Sequence, residues 1–203
     1  MVAPRVGLLD YGSGNLHSAA RALTLAGADV TVSRDTAELQ RLDRLVVPGV
    51  GAFAACMAGI EAVGGRNLIT GWLAADRPLL GICVGHQIMF DRGDEHDVPT
   101  AGLGVLPGTI EALPARRLPH MGWNEIKPPE GSRLFKDIED ERFYFVHSYA
   151  ALFAHGVAKV TTSRHEDVTF VAAVEQGSLS TTQFHPEKSG AAGVQLLRNW
   201  LGS

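Results

Sequence analysis

The amino-acid sequence predicts an α/β fold with a mostly parallel central sheet, helices on both faces, and antiparallel strands added by the second half. Three observations lead to this prediction. The first half alternates short apolar runs with segments of helical periodicity, a pattern typical of parallel strands joined by helices. Near the middle, PLLGICVGHQIMF (78–90) is a strand that breaks abruptly into a helix. The second half is a series of short β-rich runs, typical of hairpins.

Local patterns define the elements of the first half. Residues 5–9 are an apolar run that ends at Asp10 and the turn YGSGN. From residue 16 to residue 25, apolar side chains recur at helical spacing, and Gly27 is a natural stop. The predicted elements that follow are a strand at 30–33, a short helix at 35–42 with Asp35 as its candidate cap, a strand within 44–49, and helices at 52–63 and 66–75.

The second half is predicted to extend the sheet and to finish on a helix. Residues 91–102 (DRGDEHDVPTAG) have the composition of an exposed loop. The predicted strands are 103–112, 120–127, 142–151, 157–163, 169–176 and 179–184, and the closing amphipathic helix is 193–202. Because no repeat or linker divides the chain, the sequence predicts one domain over residues 1–203.

Composition excludes several classes of protein. Of the 203 residues, 45% are hydrophobic, enough for one sizeable core without cross-links. Lys and Arg number 18 against 22 Asp and Glu, which argues against a nucleic-acid-binding surface. The apolar stretches are far shorter than the ~20 residues that span a bilayer, and residues 1–10 lack a signal-peptide pattern. The charge balance and the short apolar runs lead us to expect a protein that binds neither nucleic acid nor membrane. Because the chain has only two cysteines, we expect it to be cytoplasmic.

Cys83 lies in a strand-to-helix turn, LLGICVGHQ, with a glycine two positions before it and another two after it. This is the pattern of a nucleophile elbow, where larger flanking side chains would collide with the neighbouring strand and helix. Such a turn projects its nucleophile at the carboxyl end of a strand and beside a helix N-terminus, which favours the thiolate. The alternative is a buried structural cysteine, which is our interpretation of Cys56.

A thiolate nucleophile needs a base, and the base needs an orienting acid. The segment QFHPEKS offers His185 and Glu187, and Pro186 favours extended geometry that would place both side chains on one face. A solvated charge pair at a strand end is the alternative. His86 is nearer to Cys83 in sequence, but it lies one helical turn along and has no acidic neighbour, so we expect it to pack.

Neither a metal nor a cofactor site is predicted. The sequence has no HExxH, no HxH and no histidine pair at helical spacing. Glu95, His96 and Asp97 are potential ligands in a row, but neighbouring residues point in different directions, which favours an exposed loop. The GSG of YGSGN lacks the third glycine of a dinucleotide fingerprint.

Together, GICVGHQ and FHPE resemble the nucleophile elbow and the base–acid pair of class I glutamine amidotransferases. Within that class, the chain is similar to the glutaminase subunits that serve imidazole glycerol phosphate synthase. The segments that carry this likeness are DYGSGN (10–15), PGVGAF (48–53), PHMGWN (119–124), YFVHSY (144–149) and QFHPEKSG (183–190). His86 departs from the pattern, since an apolar residue is expected there. The resemblance implies a flavodoxin-like sheet and hydrolysis of L-glutamine to glutamate and ammonia.

The resemblance also implies roles for individual residues. Cys83 is the expected nucleophile, His185 the base and Glu187 its orienting acid. Two N–H donors for the oxyanion are expected from Val84 and from the loop of Val50 and Gly51, whose glycines allow close backbone approach. The expected substrate-binding residues are Gly51, Gln87, Ser148 and Tyr149.

A partner is implied because free ammonia is protonated in water and the glutaminase motifs occupy the whole chain. The resemblance makes this partner a cyclase subunit with a (β/α)₈ barrel, in a heterodimer. The candidate interface residues are Asn15, Met121, Gly122, Trp123, Asn124, Tyr144 and Lys188, with core burial as the alternative for Trp123. Three other functions stay open: a glutaminase subunit of another synthase, a cysteine peptidase or γ-glutamyl hydrolase on the same scaffold, and a binding domain without activity.

Overall fold

The computed structural model of the protein describes residues 2–96 and 98–203. The elements of the first half are β1 (Arg5–Leu9), α1 (Leu16–Ala26), β2 (Asp29–Ser33), α2 (Thr36–Leu39), β3 (Arg44–Val47), α3 (Phe53–Ala62), α4 (Gly65–Ala74), β4 (Leu79–Ile82) and α5 (Val84–Gln87). Those of the second half are β5 (Phe90–Glu95), β6 (Val98–Ala101), β7 (Leu106–Ala112), β8 (His120–Glu125), β9 (Arg142–His147), β10 (Tyr149–Ala151), β11 (Lys159–His165), β12 (Val168–Gln176), β13 (Leu179–Thr182), a 3₁₀ turn (Pro186–Lys188) and α6 (Gly190–Leu201).

A seven-stranded sheet forms the centre of the molecule, in the order β11-β12-β13-β4-β3-β1-β2. The five strands from β13 to β2 are parallel, whereas β12 is antiparallel to both of its neighbours. Residues 45–47 of β3 and all of β4 are buried runs without polar side chains, because the inner strands of a parallel sheet are covered on both faces. Helix α1 packs against α6, and α3 packs against α4. The predicted mostly parallel sheet with an antiparallel extension is confirmed.

The strands of the second half do not all join this sheet, which corrects the prediction that they would. Only β11, β12 and β13 extend it. Strands β10, β7, β5 and β6 form a separate four-stranded sheet, and β8 pairs with β9 alone. The predicted strand at 142–151 breaks at Ser148, so its two parts lie in different sheets. Apolar alternation reveals that a segment is a strand, but it does not specify the partner, because strand pairing is non-local.

The predicted exposed loop at 91–102 is also corrected, since β5 and β6 form an antiparallel hairpin there. Asp97, which lies between them, is outside the described residues. Among the charged side chains that suggested a loop, Asp91 and Arg92 are exposed, and Arg92 forms an ion pair with Asp94. Gly93 faces inward, and a Cβ on it would meet the ring of Phe53 at 2.6 Å.

Helix boundaries differ from the predictions by a few residues. Helix α5 is a single turn, and the chain returns to a strand at Phe90. Helix α6 begins at Gly190, three residues earlier than predicted. The predicted cap of α2 is present, because the Asp35 carboxylate accepts a hydrogen bond of 2.8 Å from the backbone N–H of Ala37. Across the described residues, none of the helices has the length and apolar character needed to cross a membrane.

The parallel strands bring the sequence motifs together at one edge of the sheet. The segments that follow β1, β3, β4 and β13 contain DYGSGN, PGVG, Cys83 and QFHPE, respectively. Since these four strands are neighbours and run in the same direction, their carboxyl ends meet at that edge. In α/β sheets this is where ligands bind.

Candidate active site

Cys83 occupies a strained turn between β4 and α5. Its backbone has φ +55° and ψ −111°, outside the ordinary regions for a residue with a side chain. The flanking glycines make the turn sterically feasible: a Cβ on Gly81 would lie 2.6 Å from the carbonyl oxygen of Gly85, and a Cβ on Gly85 only 1.9 Å from that of Val47. The turn therefore requires glycine at both positions, as a nucleophile elbow does.

His185 and Glu187 form a buried pair beside the end of β13. The Nδ1 atom of His185 lies 2.7 Å from Oε1 of Glu187, and the two side chains are only 2% and 4% exposed. His185 itself is extended, but Glu187 reaches it through the 3₁₀ turn that begins at Pro186, so the predicted pairing across an extended segment has the wrong local geometry. A hydrogen bond anchors the main chain at His185 to β9, because the N–H of His185 donates to the carbonyl of Tyr144 at 2.9 Å.

The second ring nitrogen of His185 is free for chemistry. Within the described residues, the buried Nε2 makes no hydrogen bond. Burial disfavours the imidazolium, but hydrogen bonding and charge attraction from the ionised Cys83 sulfur and from the Glu187 carboxylate outweigh it and raise the pKa of His185 to about 9. The site can therefore supply a protonated imidazole next to the sulfur at neutral pH.

A cavity of about 720 Å³ adjoins these groups and is large enough for an amino acid. Every residue predicted to act on the substrate lines it or belongs to the His185 pair. The lining residues include Asn15, Val50, Gly51, Cys83, Val84, Gln87, Ser148, Tyr149, His185 and Lys188 from the predicted set, together with Glu95, His96, Pro119, Val146 and His147.

Two of the three residues predicted to supply oxyanion donors, Val84 and Val50, have their N–H groups engaged elsewhere. The N–H of Val84 donates to the carbonyl of Gly49 at 3.3 Å. The N–H of Val50 donates to the hydroxyl of Ser13 at 3.1 Å, and that hydroxyl in turn donates to the Val50 carbonyl at 2.8 Å. Gly51, with φ +93°, follows at a position where side chains are disfavoured. The N–H groups of Val84 and Val50 are therefore both occupied by hydrogen bonds within the protein.

Comparison with known proteins gives the family. The family model described as "Glutamine amidotransferase class-I" matches residues 7–202. The chain belongs to the class I glutamine amidotransferases. It is 57% identical over 197 residues to a Cutibacterium acnes protein named imidazole glycerol phosphate synthase subunit HisH, covering 97% of this chain and 96% of that one. The identity to the Nocardia farcinica protein of the same name is also 57%, with both chains covered in full.

Solved structures agree on the fold. A crystal structure described as a glutamine amidotransferase superimposes with a TM-score of 0.77 at 20% identity, covering 98% of this chain and 99% of that chain. The structure of PurLQS from Thermotoga maritima gives a TM-score of 0.75 at 18% identity, with 99% of each chain covered. The resemblance to class I glutamine amidotransferases that the motifs indicated is confirmed, and with it the fold class.

One residue of this amidotransferase site escaped the sequence analysis. The fully buried Gln183 accepts a hydrogen bond of 3.0 Å from the side-chain amide of Gln87, and its own amide nitrogen lies 3.9 Å from the sulfur of Cys83. Its position in QFHPE, two residues before the predicted base, was the available signal. In the sequence this glutamine reads as the last polar residue of a buried strand.

His86 and Cys56 lie near the nucleophile without reaching the cavity. His86 is fully buried, with Nδ1 2.7 Å from the hydroxyl of Thr181, and burial lowers its pKa to about 3. This neutral, enclosed ring fits the packing role expected for it. Cys56 is buried as well, with its sulfur 3.3 Å from the Ser13 hydroxyl, and burial raises the pKa of its thiol. Both cysteines are free thiols.

Three of the candidate interface residues of the amidotransferase, Met121, Trp123 and Tyr144, lie on the outer side of the small sheet of β8 and β9, with Lys188 beside them. Met121 is 62% exposed and Trp123 is 54% exposed, so core burial of Trp123 is excluded. The Trp123 ring packs edge-on against Tyr144, over which the ammonium of Lys188 lies at 6.0 Å. Gly122 lies between the two large side chains, Asn124 donates to the carbonyl of Arg164, and Asn15 precedes α1 at the rim of the cavity.

In residues 2–96 and 98–203, His, Cys, Asp and Glu side chains form no group of three or more that could hold a metal ion. The predicted run of potential ligands is divided between different roles. Glu95 accepts a hydrogen bond of 2.6 Å from the backbone of Phe53, and His96 lies in the turn after β5. Asp97 lies outside the described residues.

Proposed function

We propose that the protein is the glutaminase subunit of imidazole glycerol phosphate synthase, which hydrolyses L-glutamine to glutamate and ammonia and passes the ammonia to a cyclase subunit in histidine biosynthesis. The observation that carries the chemistry is the elbow cysteine Cys83 at one cavity with the His185–Glu187 pair. The pathway follows from full-length relatives at 57% identity that bear this subunit's name. We treat residues 1–203 as one domain, since the family model spans nearly all of them.

The first half of the reaction forms a thioester. The Cys83 thiolate attacks the side-chain amide carbon of glutamine and produces a tetrahedral oxyanion. As the carbon–nitrogen bond breaks, the imidazolium of His185 donates its proton from Nε2 to the leaving nitrogen, and ammonia departs. The raised pKa of His185 supports this step, because the proton is present on the ring at neutral pH.

The second half hydrolyses the thioester. Neutral His185 takes a proton from a water molecule, whose oxygen attacks the thioester carbon, and the carbon–sulfur bond breaks to release glutamate and restore the thiolate. Throughout, Glu187 holds the proton on Nδ1 and stabilises the imidazolium, which is the role that its 2.7 Å contact supports.

Oxyanion stabilisation requires a rearrangement of the loop 49–51. Val84 is the first proposed donor and the Val50–Gly51 segment supplies the second, but the N–H of Val84 is bonded to the Gly49 carbonyl. Glycine on both sides of Val50 gives this peptide the rotational freedom to turn its N–H toward the cavity. Each N–H that donates to the oxyanion lowers the activation free energy by about 3–4 kcal/mol.

The amino-acid end of glutamine binds in the same cavity. We assign its recognition to Gly51, Gln87, Ser148 and Tyr149, all of which line the cavity. The position of the break between β9 and β10 supports this assignment, because Ser148 and Tyr149 at the break line the same cavity as Cys83. The side-chain amide of Gln87 is fixed by donation to the Tyr149 carbonyl at 2.9 Å.

The partner binds the outer side of β8 and β9 at Met121, Trp123 and Tyr144, and the candidate surface also includes Gly122 and Asn124 of β8 together with Asn15 and Lys188, which line the cavity. Two large exposed side chains on a short two-stranded sheet supply the aromatic and sulfur-containing contacts that are enriched at interfaces. The proposed partner is a cyclase subunit with a (β/α)₈ barrel, and the complex is a heterodimer. A cytoplasmic location is proposed with it, because the mechanism needs Cys83 as a reduced thiol.

The test is a glutaminase assay on the wild-type protein, Cys83→Ser and Cys56→Ser, each with and without the cyclase subunit. We expect the partner to raise the turnover of the wild type and of Cys56→Ser, and we expect Cys83→Ser to be inactive in both conditions. Full activity in Cys83→Ser would refute the mechanism. The absence of any complex in size-exclusion chromatography, with turnover unchanged by the cyclase, would refute the assignment of the partner.

A further inference from the structure

Gln183 connects two groups of the proposed active site. Its side chain is completely buried after the end of β13, and its backbone N–H donates to the Ala172 carbonyl at 2.8 Å. The side-chain oxygen accepts from the Gln87 amide at 3.0 Å, while the side-chain nitrogen lies 3.9 Å from the Cys83 sulfur. Gln183 is absent from the cavity wall, so its effect on the reaction passes through these two neighbours.

The backbone carbonyl of Tyr149 fixes the orientation of both glutamine amides. A carbonyl oxygen can only accept, so the Gln87 group that contacts it at 2.9 Å is the NH₂. The same NH₂ group reaches Gln183 and must donate to it, which makes the Gln183 atom the amide oxygen. The remaining end of Gln183, the one facing sulfur, is therefore an N–H donor.

A pair of buried histidines approaches the same carbonyl from the other side. Nδ1 of His147 lies 3.0 Å from the Tyr149 carbonyl and must carry a proton, so Nε2 is an acceptor. That Nε2 lies 2.9 Å from Nδ1 of His120, whose Nε2 lies 3.1 Å from the amide nitrogen of Asn124. Every bond in the sequence from Asn124 to Tyr149 thus donates in the same direction.

Both histidines are neutral under physiological conditions. Burial, together with the neighbouring His165 ring, lowers the pKa of His120 to about 4. Burial, followed by the charge of His120, lowers the pKa of His147 to about 3. A neutral ring has one donor and one acceptor nitrogen, which is what the one-directional arrangement requires. The network therefore keeps its orientation across the pH range in which a glutaminase works.

We propose that Gln183 is a positioning residue that holds Gln87 for substrate binding and directs an N–H group at the Cys83 sulfur. The Tyr149 carbonyl fixes the orientation of both amides, and His147 on β9, which accepts from His120 on β8, donates to the same carbonyl. The proposal rests on the proposed role of Cys83 as the nucleophile. An N–H donor stabilises a thiolate more than a thiol, because hydrogen bonds to the charged form favour that form. Losing this donor should reduce the thiolate fraction at a given pH.

A purely structural role for Gln183 makes a different prediction. If it only filled space, an apolar side chain of the same length would leave the titration of Cys83 unchanged. The other ionisable groups that face Cys83 or line its cavity remain in place in such a variant: Tyr11, Cys56, Glu95, His96, His147, His185 with Glu187, and Lys188. A change in the titration is therefore attributable to Gln183.

The test measures the rate at which iodoacetamide alkylates Cys83 as a function of pH, with the label located by peptide mass spectrometry. The full-length wild type is compared with Gln183→Glu, which puts a carboxylate oxygen opposite the sulfur, and with Gln183→Met, which removes the donor. The matched control is Gln195→Glu on α6, where the side chain bonds only to Asn199. Glutaminase kcat and KM are measured on the same samples.

We expect the alkylation midpoint to rise by about one pH unit in Gln183→Glu and by a smaller amount in Gln183→Met, and to stay unchanged in Gln195→Glu. KM for glutamine should rise in Gln183→Met, where Gln87 loses the oxygen that accepts from its amide, and should change less in Gln183→Glu, whose carboxylate still accepts from Gln87. Alkylation midpoints equal to that of the wild type would overturn the proposal. If Gln183→Glu does not fold, the midpoint of Gln183→Met alone provides the test. If the wild type shows no glutaminase activity even with the cyclase, it is the proposed function that fails.

Discussion

Substitution of His86 by methionine should make the protein less sensitive to acid. The imidazole is fully buried beside the elbow, and its Nε2 makes no hydrogen bond within the described residues. Because burial lowers its pKa to about 3 from an ordinary value of 6.5, the folded protein keeps His86 neutral where the unfolded chain takes up a proton. Proton uptake by the unfolded chain lowers the free energy of unfolding as pH falls below 6.5.

The size of the effect follows from these two pKa values. At pH 7 the unfolded chain is mostly neutral at this side chain, so the cost is only a few tenths of a kcal/mol, whereas at pH 5 it is about 2 kcal/mol. The cost of about 2 kcal/mol at pH 5 depends on the pKa of His86 in the unfolded chain, because any pKa below about 4 in the folded protein gives the same result. Methionine has no proton to gain and no unsatisfied ring nitrogen, so His86→Met should escape this loss.

The assay is urea unfolding followed by tryptophan fluorescence at pH 7 and pH 5. The wild type should lose more stability than His86→Met between these two values, by about 2 kcal/mol. Exposed His17 provides the matched control, because His17→Met removes an imidazole that stays hydrated in both states. Glutaminase turnover at pH 7 should be retained in His86→Met, since the ring does not line the cavity. Equal acid sensitivity of His86→Met and the wild type would refute the reasoning.

Three further predictions concern the catalytic pair, the elbow and the partner face. Glu187→Gln should lower glutaminase kcat by about 10²–10⁴-fold and reduce the pKa seen in its pH profile, because the imidazolium loses a charged partner; an unchanged kcat would contradict the assigned role. Gly85→Ala should fail to fold, since its Cβ would lie 1.9 Å from a backbone oxygen. The control is Gly71→Ala, where a Cβ would meet no atom within 4 Å, and this variant should melt at or above the wild-type temperature. Trp123→Ala should weaken cyclase binding by about tenfold or more in calorimetry, and unchanged affinity would remove this residue from the interface.

The elbow was predictable from sequence because its requirement is local. Glycines at 81 and 85 are needed wherever a strand turns directly into a helix around a projecting side chain, so the pattern is visible in seven residues. The pairing of His185 with Glu187 was visible for the same reason, although the 3₁₀ turn that joins them was not. The parallel part of the sheet followed from alternation of strands and helices.

What escaped prediction depends on residues that are distant in sequence. Gln183 meets Gln87 and Cys83 only because β13 lies next to β4, and no local pattern encodes that neighbour. The hairpin at β5 and β6 was hidden because its charged side chains face solvent, which gives a strand the composition of a loop. The same limit applies to the loop 49–51, where a hydroxyl from the segment after β1 holds the backbone of Val50.

The central claim is that the sulfur of Cys83 attacks glutamine. The most direct measurement is to treat the complex with an electrophilic L-glutamine analogue and to map the covalent label by mass spectrometry. We predict one label per chain, on the peptide that contains Cys83, with loss of glutaminase activity in proportion and protection by L-glutamine. A label on Cys56, or full inactivation with Cys83 unmodified, would contradict the account.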